Sequence, residues 1–191
     1  MKKILIAGLI IISSIFLVTC GGHKMNKTAI LETNLGTITI ELFEDQMPIT
    51  TKNFIDLAEK GFYDGTKFHR VIQNFMIQGG DPLSKDDSQK NLWGTGSPGY
   101  KIEDEFVEGL SNVRGTIAMA NSGPNSGGSQ FFINVVDNTY LDFDKQPFSS
   151  KHPVFGKVVE GMDIVDQIAS LKTNGPNHPV EDVVVEKVRI K

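Results

Sequence analysis

Short stretches in which apolar and polar side chains alternate recur along the chain, and the first pair shows the pattern most clearly. From Ile38 to Leu42 every second residue is a large aliphatic one, with threonine or glutamate between them. Residues 29–33 precede this stretch, and the turn-forming tripeptide Asn-Leu-Gly at 34–36 separates the two. A period of two is typical of a strand with one buried face. The sequence therefore predicts a β-hairpin over residues 29–42.

Six further stretches have the length and composition of short strands, and glycine-, asparagine- and proline-rich turns separate them. They are Lys67–Ile72, Met76–Gly79, Gly115–Ala120, Gln130–Asn134, Val154–Val158 and Val183–Ile190. Many short strands at such spacing favour a barrel or a sandwich. No internal repeat or second domain boundary interrupts the pattern, so the sequence predicts one mainly β domain.

Two segments instead place their apolar residues on one face of a helix. The first follows Pro48, which suits the first turn of a helix, and Gly61 ends it. The second runs from Gly161 to Ser170, where the early Asp163 suits a helix N-terminus. Their apolar faces consist of Phe54, Leu57 and Ala58 in the first helix and of Val165, Ile168 and Ala169 in the second. Both helices are expected to cover the core.

Residues 1–20 differ from the rest of the chain. Lys2 and Lys3 precede an uninterrupted weakly polar to apolar run that ends at Val18. A basic start followed by an apolar middle is typical of a secretory signal peptide. The run is shorter than the roughly 20 apolar residues of a membrane-spanning helix, so we expect a removed leader, with a retained signal anchor as the alternative.

The end of this leader resembles a lipoprotein signal. Cys20, the only cysteine of the chain, stands where bacterial lipoproteins carry the residue that is lipidated and becomes the mature N-terminus. Thr19 departs from the glycine, alanine or serine usual at the preceding position. The resemblance implies an extracytoplasmic lipoprotein, periplasmic or on the cell surface, held at the membrane by its lipid anchor. Residues 21–27 then form a short polar tether, and the folded domain covers residues 28–191.

Composition and charge restrict the remaining possibilities. At 191 residues, with 39% hydrophobic and 22% charged residues, the chain has the composition of a globular protein with one sizeable core. A lone cysteine cannot form an internal disulfide, so the fold must depend on that core. The net charge is −4, and it becomes two units more negative if Lys2 and Lys3 leave with the leader. A nucleic-acid partner is therefore not expected.

Two segments carry the candidate chemistry, FHRVIQNFMIQGGD from Phe68 to Asp81 and MANSGPNSGGSQFFI from Met119 to Ile133. They combine one cation, side-chain amides, large apolar side chains and glycines, without a nucleophile, a base or a metal cluster. Such residues can hold a substrate and polarise it. Because side chains alternate along a strand, Arg70 is expected to project from a surface otherwise lined by apolar groups.

These two segments, together with VFGKVVEGMDIVD at residues 154–166, resemble the cyclophilin family of peptidyl-prolyl cis-trans isomerases. The likeness extends from Thr28 to the C-terminus. It implies a closed eight-stranded antiparallel barrel with a helix over each end. It further implies an enzyme that rotates X-Pro bonds in proline-containing polypeptides, that assists the folding of exported proteins, and that needs no cofactor or metal.

The resemblance also implies which residues form the site. Arg70 matches the catalytic arginine of the family. The implied proline pocket consists of Phe75, Met76, Phe132 and Leu141. Gln78 and Gln130 would supply polar contacts, and Ala120, Asn121 and His152 match the binding groove. Strand alternation alone could not place Phe75 and Met76 on one surface, because neighbours in a strand point to opposite faces unless the backbone bends.

The chemistry explains why an arginine suits this reaction. The amide before proline is planar through resonance, and rotation about it faces a barrier of about 18–20 kcal/mol. As the bond twists, the nitrogen lone pair leaves conjugation and can accept a hydrogen bond, so a donor such as Arg70 favours the transition state selectively. No proton is transferred, so a lone histidine such as His152 is assigned to binding.

Some features depart from the family pattern or allow other interpretations. Tyr140 stands where the best-known cyclophilins carry tryptophan, and the smaller ring without an indole N–H predicts weaker binding of cyclosporin-type inhibitors. Gly94 to Gly99 formally matches a GxGxxG motif, but the expected context is a groove-edge loop. The acidic runs at 86–87 and 103–105 are expected to be solvated loop charges.

The main alternative function is a non-catalytic protein that only binds proline-containing peptides. A serine hydrolase is disfavoured because no GxSxG elbow occurs.

Overall fold

A computed structural model describes residues 26–146 and 151–191 of the chain. Within these ranges eight strands form one sheet, and two α-helices pack against it. In chain order these elements are β1 (Thr28–Thr33), β2 (Gly36–Leu42), α1 (Pro48–Glu59), β3 (Arg70–Ile72), β4 (Met76–Gly79), β5 (Thr116–Met119), β6 (Phe131–Asn134), β7 (Val154–Glu160), α2 (Met162–Ala169) and β8 (Val185–Ile190). Short 3-10 helices lie at Pro82–Lys85, Asp87–Leu92 and Thr139–Leu141. The mainly β prediction is confirmed, and each strand and α-helix overlaps a segment that the sequence indicates.

Neighbouring strands are antiparallel throughout, in the spatial order β3-β4-β6-β5-β7-β2-β1-β8. The first two strands form the predicted hairpin, in which Thr33 pairs with Gly36 at the turn. The hydroxyl of Thr33 donates to the carbonyl of Gly36 over 2.6 Å and closes this turn. Gly36 has a φ of 140°, a conformation that residues with a side chain rarely adopt. The turn therefore requires a glycine at this position.

The predicted closed barrel is wrong in one respect, because the sheet curls into an open half-barrel. Its edge strands β3 and β8 share no ladder within the described part of the chain. The chain just before each of them makes contact instead, through an isolated bridge between Lys67 and Val184. β3 has only three residues, and the amide of Val71 on it donates to the carbonyl of Asn177 in a loop over 2.9 Å. A loop therefore occupies the edge that a closing strand would need.

Aromatic side chains connect α1 to the sheet. The ring centroid of Phe54 on α1 lies 5.0–5.6 Å from those of Tyr63, Phe131 and Phe155. These four residues are buried, and their stacked, tilted and edge-on contacts are the arrangements that aromatic rings prefer. Phe131 belongs to β6 and Phe155 to β7. The helix thus fixes β6, the strand that carries part of the candidate site.

Several acidic residues that were expected to be solvated have structural roles. Glu105 lies at the N-terminus of α1, where its carboxylate accepts the amide N–H groups of Ile49 (2.9 Å) and Thr50 (2.5 Å). These amides have no partner inside the helix, and a negative charge also suits this end of the helix dipole. Asp87 accepts a hydrogen bond of 2.6 Å from the ammonium group of Lys67. The expectation of a solvated loop charge is therefore wrong for Glu105, whereas Asp87 stays exposed and pairs with Lys67 at the surface.

The N-terminal predictions lie mostly outside the described residues. The signal peptide at residues 1–20, with Cys20, and residues 21–25 of the tether are not described. Asn26 and Lys27, which end the predicted tether, bond to the domain: the amide of Asn26 donates to Glu41, and the backbone of Lys27 donates to Glu44. Among the described helices, none has the length and apolar character that crossing a bilayer requires.

His69 is a buried titratable group next to the site. Only 1% of its surface is exposed, and neither ring nitrogen has a hydrogen-bond partner. Burial lowers its pKa to about 4, although the nearby Asp81 carboxylate and the Lys67 backbone favour the proton. In the unfolded chain a histidine titrates near pH 6.5. Between these two values the unfolded chain binds more protons, so the stability due to neutral His69 is present above about pH 6.5 and is lost as the pH falls towards 4.

We expect His69→Phe to reduce the loss in the free energy of unfolding that occurs when the pH falls below 7. Phenylalanine is a ring of similar size that cannot be protonated, and it leaves no unpaired polar atom. Between pH 7 and pH 4.5 the wild type should lose about 2 kcal/mol more free energy of unfolding than the variant. Urea denaturation of both proteins across this range measures the difference. Equal losses in the two proteins would show that His69 does not titrate as its burial requires.

Candidate active site

The register of three neighbouring strands aligns the candidate residues. Arg70 on β3 is paired with Gln78 on β4, and Gln78 is paired with Phe132 on β6. Residues directly opposite one another in a sheet project from the same face. The flanking residues Phe131 and Ile133 belong to the main core. These strands therefore bury one face in the core and use the other to build a site.

A hydrogen-bond chain runs along this face and holds the guanidinium. Arg70 donates from Nη1 to Oε1 of Gln78 over 3.1 Å, and Gln78 donates from Nε2 to Oε1 of Gln130 over 2.9 Å. Gln130 donates in turn to the carbonyls of Gly94 (3.0 Å) and Gly96 (2.8 Å). Partial burial lowers the pKa of Arg70, but an arginine stays charged at neutral pH. This hydrogen-bond chain uses one of the five N–H donors of the guanidinium.

Beside Arg70 lies a cavity of about 260 Å³, here called the apolar pocket. Its buried wall contains Met76, Phe132 and Leu141, which pack in a cluster separate from the main core. The residues lining it are Arg70, Phe75, Met76, Gln78, Ala120, Asn121, Phe132, Leu141 and His152. Gln130 lines an adjoining groove that shares Gln78, Ala120 and Asn121 with the pocket. The structure thus brings together all the site residues that the sequence resemblance implies within the described chain.

The turn between β3 and β4 explains how the adjacent residues Phe75 and Met76 reach one pocket. β4 begins at Met76, whereas Phe75 belongs to the turn and its amide donates to the carbonyl of Ile72 over 3.1 Å. Asn74 before it has a φ of 59°. Asparagine tolerates this left-handed conformation better than most residues. The backbone therefore bends at this point, and strict strand alternation does not apply.

His152 is held as a neutral wall residue. Its Nδ1 lies 3.1 Å from the carbonyl of Met119, which can only accept a hydrogen bond, so Nδ1 carries the proton. Its ring meets the ring of Phe132 edge-on at 5.3 Å between centroids. Burial lowers its pKa, which keeps it neutral at pH 7. This state suits a binding surface rather than an acid.

Sequence reasoning missed a buried polar network that supports the pocket. Asn138 donates from Nδ2 to the carbonyl of Phe75 and to Oδ1 of Asn134, both over 2.8 Å. Asn112 donates from its backbone and side chain to Asp142 over 2.7 and 3.0 Å. Asn134 also donates to Asn112 over 3.2 Å, which joins the two halves. The network ties the 3-10 helix carrying Leu141 to β6, and local sequence patterns do not indicate it because its members are far apart in the chain.

Asp81 fixes the loop from Gly94 to Gly96 and so supports the hydrogen-bond chain from its far end. The carboxylate of Asp81 is fully buried and accepts the amides of Gly94, Gly96 (3.4 Å) and Leu83 (2.8 Å). A Cβ at Gly96 would collide with this carboxylate, so the loop needs a glycine there. Since the same loop offers its carbonyls to Gln130, Asp81 acts on the site through the loop. The GxGxxG stretch lines the groove edge, as expected.

Tyr140 stands at the outer side of the site. Its ring lies nearly parallel to that of Phe75, with 6.3 Å between centroids, and about half of its surface is exposed. The expected effect on inhibitors stays a prediction.

In the described ranges 26–146 and 151–191, no three His, Cys, Asp or Glu side chains are grouped so that they could hold a metal ion.

A curled antiparallel sheet with an arginine at the rim of an apolar pocket is typical of cyclophilin-class isomerases. The family model described as cyclophilin type peptidyl-prolyl cis-trans isomerase matches residues 28–190. The chain therefore belongs to the cyclophilin-type peptidyl-prolyl cis-trans isomerase family. The predicted enzyme class is confirmed.

Named relatives and solved structures agree with this family. The chain is 40% identical over 161 residues to peptidyl-prolyl cis-trans isomerase-like 1 of Neurospora crassa, covering 84% of this chain and 91% of the relative. To the Homo sapiens protein of the same name it is 40% identical over 158 residues, covering 82% and 88%. A crystal structure of a Cryptosporidium parvum cyclophilin type isomerase matches with a TM-score of 0.76 and 29% identity, covering 87% and 98%. A second structure of that protein, in the presence of the dipeptide Ala-Pro, matches with a TM-score of 0.74 and 29% identity, covering 86% and 98%.

We expect Asp81→Asn to impair the site through the loop it holds. An amide cannot accept all three backbone N–H groups as the carboxylate does, so the glycine carbonyls shift and Gln130 loses its orientation. The turnover number for a proline peptide should fall about three- to tenfold with little change in KM, and stability should fall by about 1–3 kcal/mol. The side-chain NMR resonance of Arg70 should shift as well.

Asp86→Asn is the matched control for this experiment. Asp86 also caps a 3-10 helix, by accepting the amide of Ser88 over 2.9 Å, but it is exposed and contacts neither glycine. It should leave turnover and the Arg70 resonance unchanged. If Asp81→Asn lowers stability alone, with wild-type turnover and an unshifted resonance, then Asp81 has no positioning role.

Proposed function

We propose that this protein catalyses rotation about X-Pro bonds in polypeptides, with Arg70 as the catalytic residue and the apolar pocket as the seat of the proline ring. The observation that carries the proposal is the placement of a fixed guanidinium beside a cavity floored by Met76, Phe132 and Leu141. The roles of the individual residues are inferred from this arrangement and from the family resemblance.

The proposed mechanism is electrostatic. Resonance gives the prolyl nitrogen little capacity to accept a hydrogen bond while the amide is planar, and twisting restores its lone pair. An N–H of Arg70 then donates to that nitrogen, a contact that exists only in the transition state. Uncatalysed isomerisation takes about 10–100 s and common turnover numbers are about 10²–10³ per second, so the site must lower the barrier by roughly 4–7 kcal/mol.

Orientation supplies the rest of the barrier reduction. The ring is gripped by the apolar pocket, while Gln78 and the backbone of Asn121 hold the peptide on either side. Ala120 keeps this edge in place, since its amide donates to the carbonyl of Gln130 over 3.0 Å. Neutral His152 forms part of the pocket wall. Phe75, in the turn between β3 and β4, lines the pocket at that end. No step of this reaction uses a cofactor, a metal or a proton transfer.

A second candidate function is a protein that grips proline-containing segments without accelerating their rotation. It would use the same pocket, and the buried wall of large apolar side chains favours it as much as it favours catalysis. The restrained guanidinium favours catalysis, because binding of a ring alone does not require a fixed cation. Rate measurements separate the two functions, since only an enzyme shortens the isomerisation time.

We further propose that the protein acts outside the cytoplasm, as a lipoprotein anchored through Cys20 that assists the folding of exported proteins. The support is the leader sequence, with Lys2 and Lys3 before an apolar run that ends near the single cysteine. Proline-containing polypeptides emerging from export are the expected substrates, since rotation of X-Pro bonds is slow enough to limit folding.

We expect Arg70→Ala to lower kcat/KM for a proline peptide by about 10²–10³-fold while the fold is retained, because the transition state loses its donor. Arg70→Lys should restore only part of the loss, since an ammonium lacks the planar fork of the guanidinium. NMR exchange spectroscopy on a short peptide measures both rates without a coupled protease.

Arg189→Ala is the matched control, because Arg189 forms an exposed ion pair with Glu32 on the distant edge of the sheet. It should leave kcat/KM at the wild-type value. Wild-type turnover in Arg70→Ala would remove Arg70 from catalysis. A wild-type protein that accelerates no peptide would instead support the binding function.

We expect the full chain, expressed in a bacterial host with a labelled fatty acid, to incorporate the label, whereas Cys20→Ser incorporates none. Lipid attachment requires a thiol, and the chain has only this one. The measurement is the label per protein after denaturing electrophoresis, together with the share of protein in the membrane fraction. An unlabelled wild type, or equal label in both proteins, would contradict the anchor at Cys20.

A further inference from the structure

A second cavity, of about 470 Å³, adjoins the apolar pocket. Arg70 and Gln78 line both spaces, so the guanidinium stands between them. The opposite wall comes from the 3-10 helix Asp87–Leu92 and its neighbour Trp93, and from the loop carrying Asn174. We call it the cationic cavity. Because the two spaces share a wall, a peptide with its proline in the apolar pocket can continue into the cationic cavity.

The fixed charges on the side chains that line this cavity are of one sign. Arg70 and Lys90 contribute two cations, and no aspartate or glutamate is among the described residues that line it. Asp87 and Asp182 lie nearby, but each accepts a hydrogen bond of 2.6 Å from the ammonium of Lys67. The two carboxylates share this one ammonium, so they are held by hydrogen bonds but leave one net negative charge next to the cavity. The positive charge of the lining itself contrasts with the net charge of −4 for the chain.

Lys90 is held over a fixed aromatic surface. Its ammonium lies 4.9 Å from the centroid of the Trp93 ring, a distance at which cation–π attraction acts. The indole itself is buried: its Nε1 donates to the carbonyl of Asp86 over 3.2 Å, and its ring meets that of His178 at 5.3 Å. The cation therefore has a restricted position at the cavity wall, which lowers the entropy lost when it pairs with an anion.

A third observation is the unpaired histidine of the same cavity. His69 lines it, and its two ring nitrogens have no hydrogen-bond partner although the side chain is buried. A neutral imidazole has one N–H to donate. Buried polar groups without partners are rare in native proteins, and each needs an explanation, such as a functional role or a bound water or ion. Together with the side-chain amides of Asn91 and Asn174, the wall offers hydrogen-bond donors in addition to its two cations.

We propose that the cationic cavity is a specificity subsite that takes the side chain of an aspartate or glutamate flanking the proline of the substrate. This inference rests on the proposed isomerase function, because it needs the proline to occupy the apolar pocket. A residue of extended chain spans about 3.3–3.6 Å, so the acidic residue lies within about three positions of the proline. Lys90 supplies the charge that distinguishes it from a neutral residue, and Arg70 serves both spaces.

The test uses the full chain and two sets of peptides. In each set a single glutamate, or the isosteric glutamine, is placed at each of about three positions on either side of one proline. The quantity measured is the ratio of kcat/KM for the glutamate peptide to that for its glutamine partner. At one or two positions we expect a ratio of about three to ten in the wild type at low salt, decreasing at about 0.5 M salt. In Lys90→Gln the ratio should approach one, and in Lys90→Glu it should fall below one.

Lys85→Gln is the matched control. Lys85 also lies in the segment after Asp81, but its ammonium is placed 5.9 Å from the Phe62 ring and it does not line the cavity. It should keep the wild-type ratio. A wild-type ratio near one at every position, or a ratio that Lys90→Gln leaves unchanged, overturns the subsite. These results differ from failure of the proposed function, in which no peptide is accelerated. In that case the same ratio, taken from dissociation constants, still decides the subsite.

Discussion

A cation at the rim of an apolar cavity is useful only if it is held, and the hydrogen-bond chain from Gly94 and Gly96 through Gln130 and Gln78 to Arg70 holds it. Each amide in this chain both donates and accepts. The carbonyls of the glycine loop can only accept, so they fix the orientation of Gln130, which then fixes Gln78. Reversing either amide would set two donors or two acceptors against each other. The orientation of the guanidinium therefore depends on a loop that does not touch it.

The same strands serve stability and the site. β6 is buried on both faces: Phe131 packs against the aromatic group around Phe54, and Phe132 forms the floor of the apolar pocket. Substitutions in the core under β6 will therefore also move the pocket. The buried asparagine network has a similar double role, since it satisfies polar groups inside the protein and holds the turn of Phe75. Several residues that shape the pocket therefore also contribute to the stability of the fold.

The segment from Asp81 to Trp93 contributes both to the hydrogen-bond chain and to the cationic cavity. Its start holds the glycine loop, and its end presents Lys90 over the indole of Trp93. The carboxylates of Asp81 and Asp86 accept backbone amides, and that of Asp87 pairs with Lys67. This segment of two short 3-10 helices thus supports the hydrogen-bond chain at its start and forms part of the cationic cavity at its end.

The sequence by itself determined the local elements and, through its resemblance to a family, the residues of the site. Alternation and turn chemistry predicted the hairpin, and Pro48 and Gly61 predicted α1, because these signals act over a few neighbouring residues. Only the tertiary structure decided the open edge beside β3 and the cap that Glu105 gives to α1. It also decided the backbone bend that brings Phe75 and Met76 to one pocket, and the partners of Gln130. Each of these depends on contacts between residues far apart in the chain, and hydrophobic periodicity carries no information about which distant polar groups will meet.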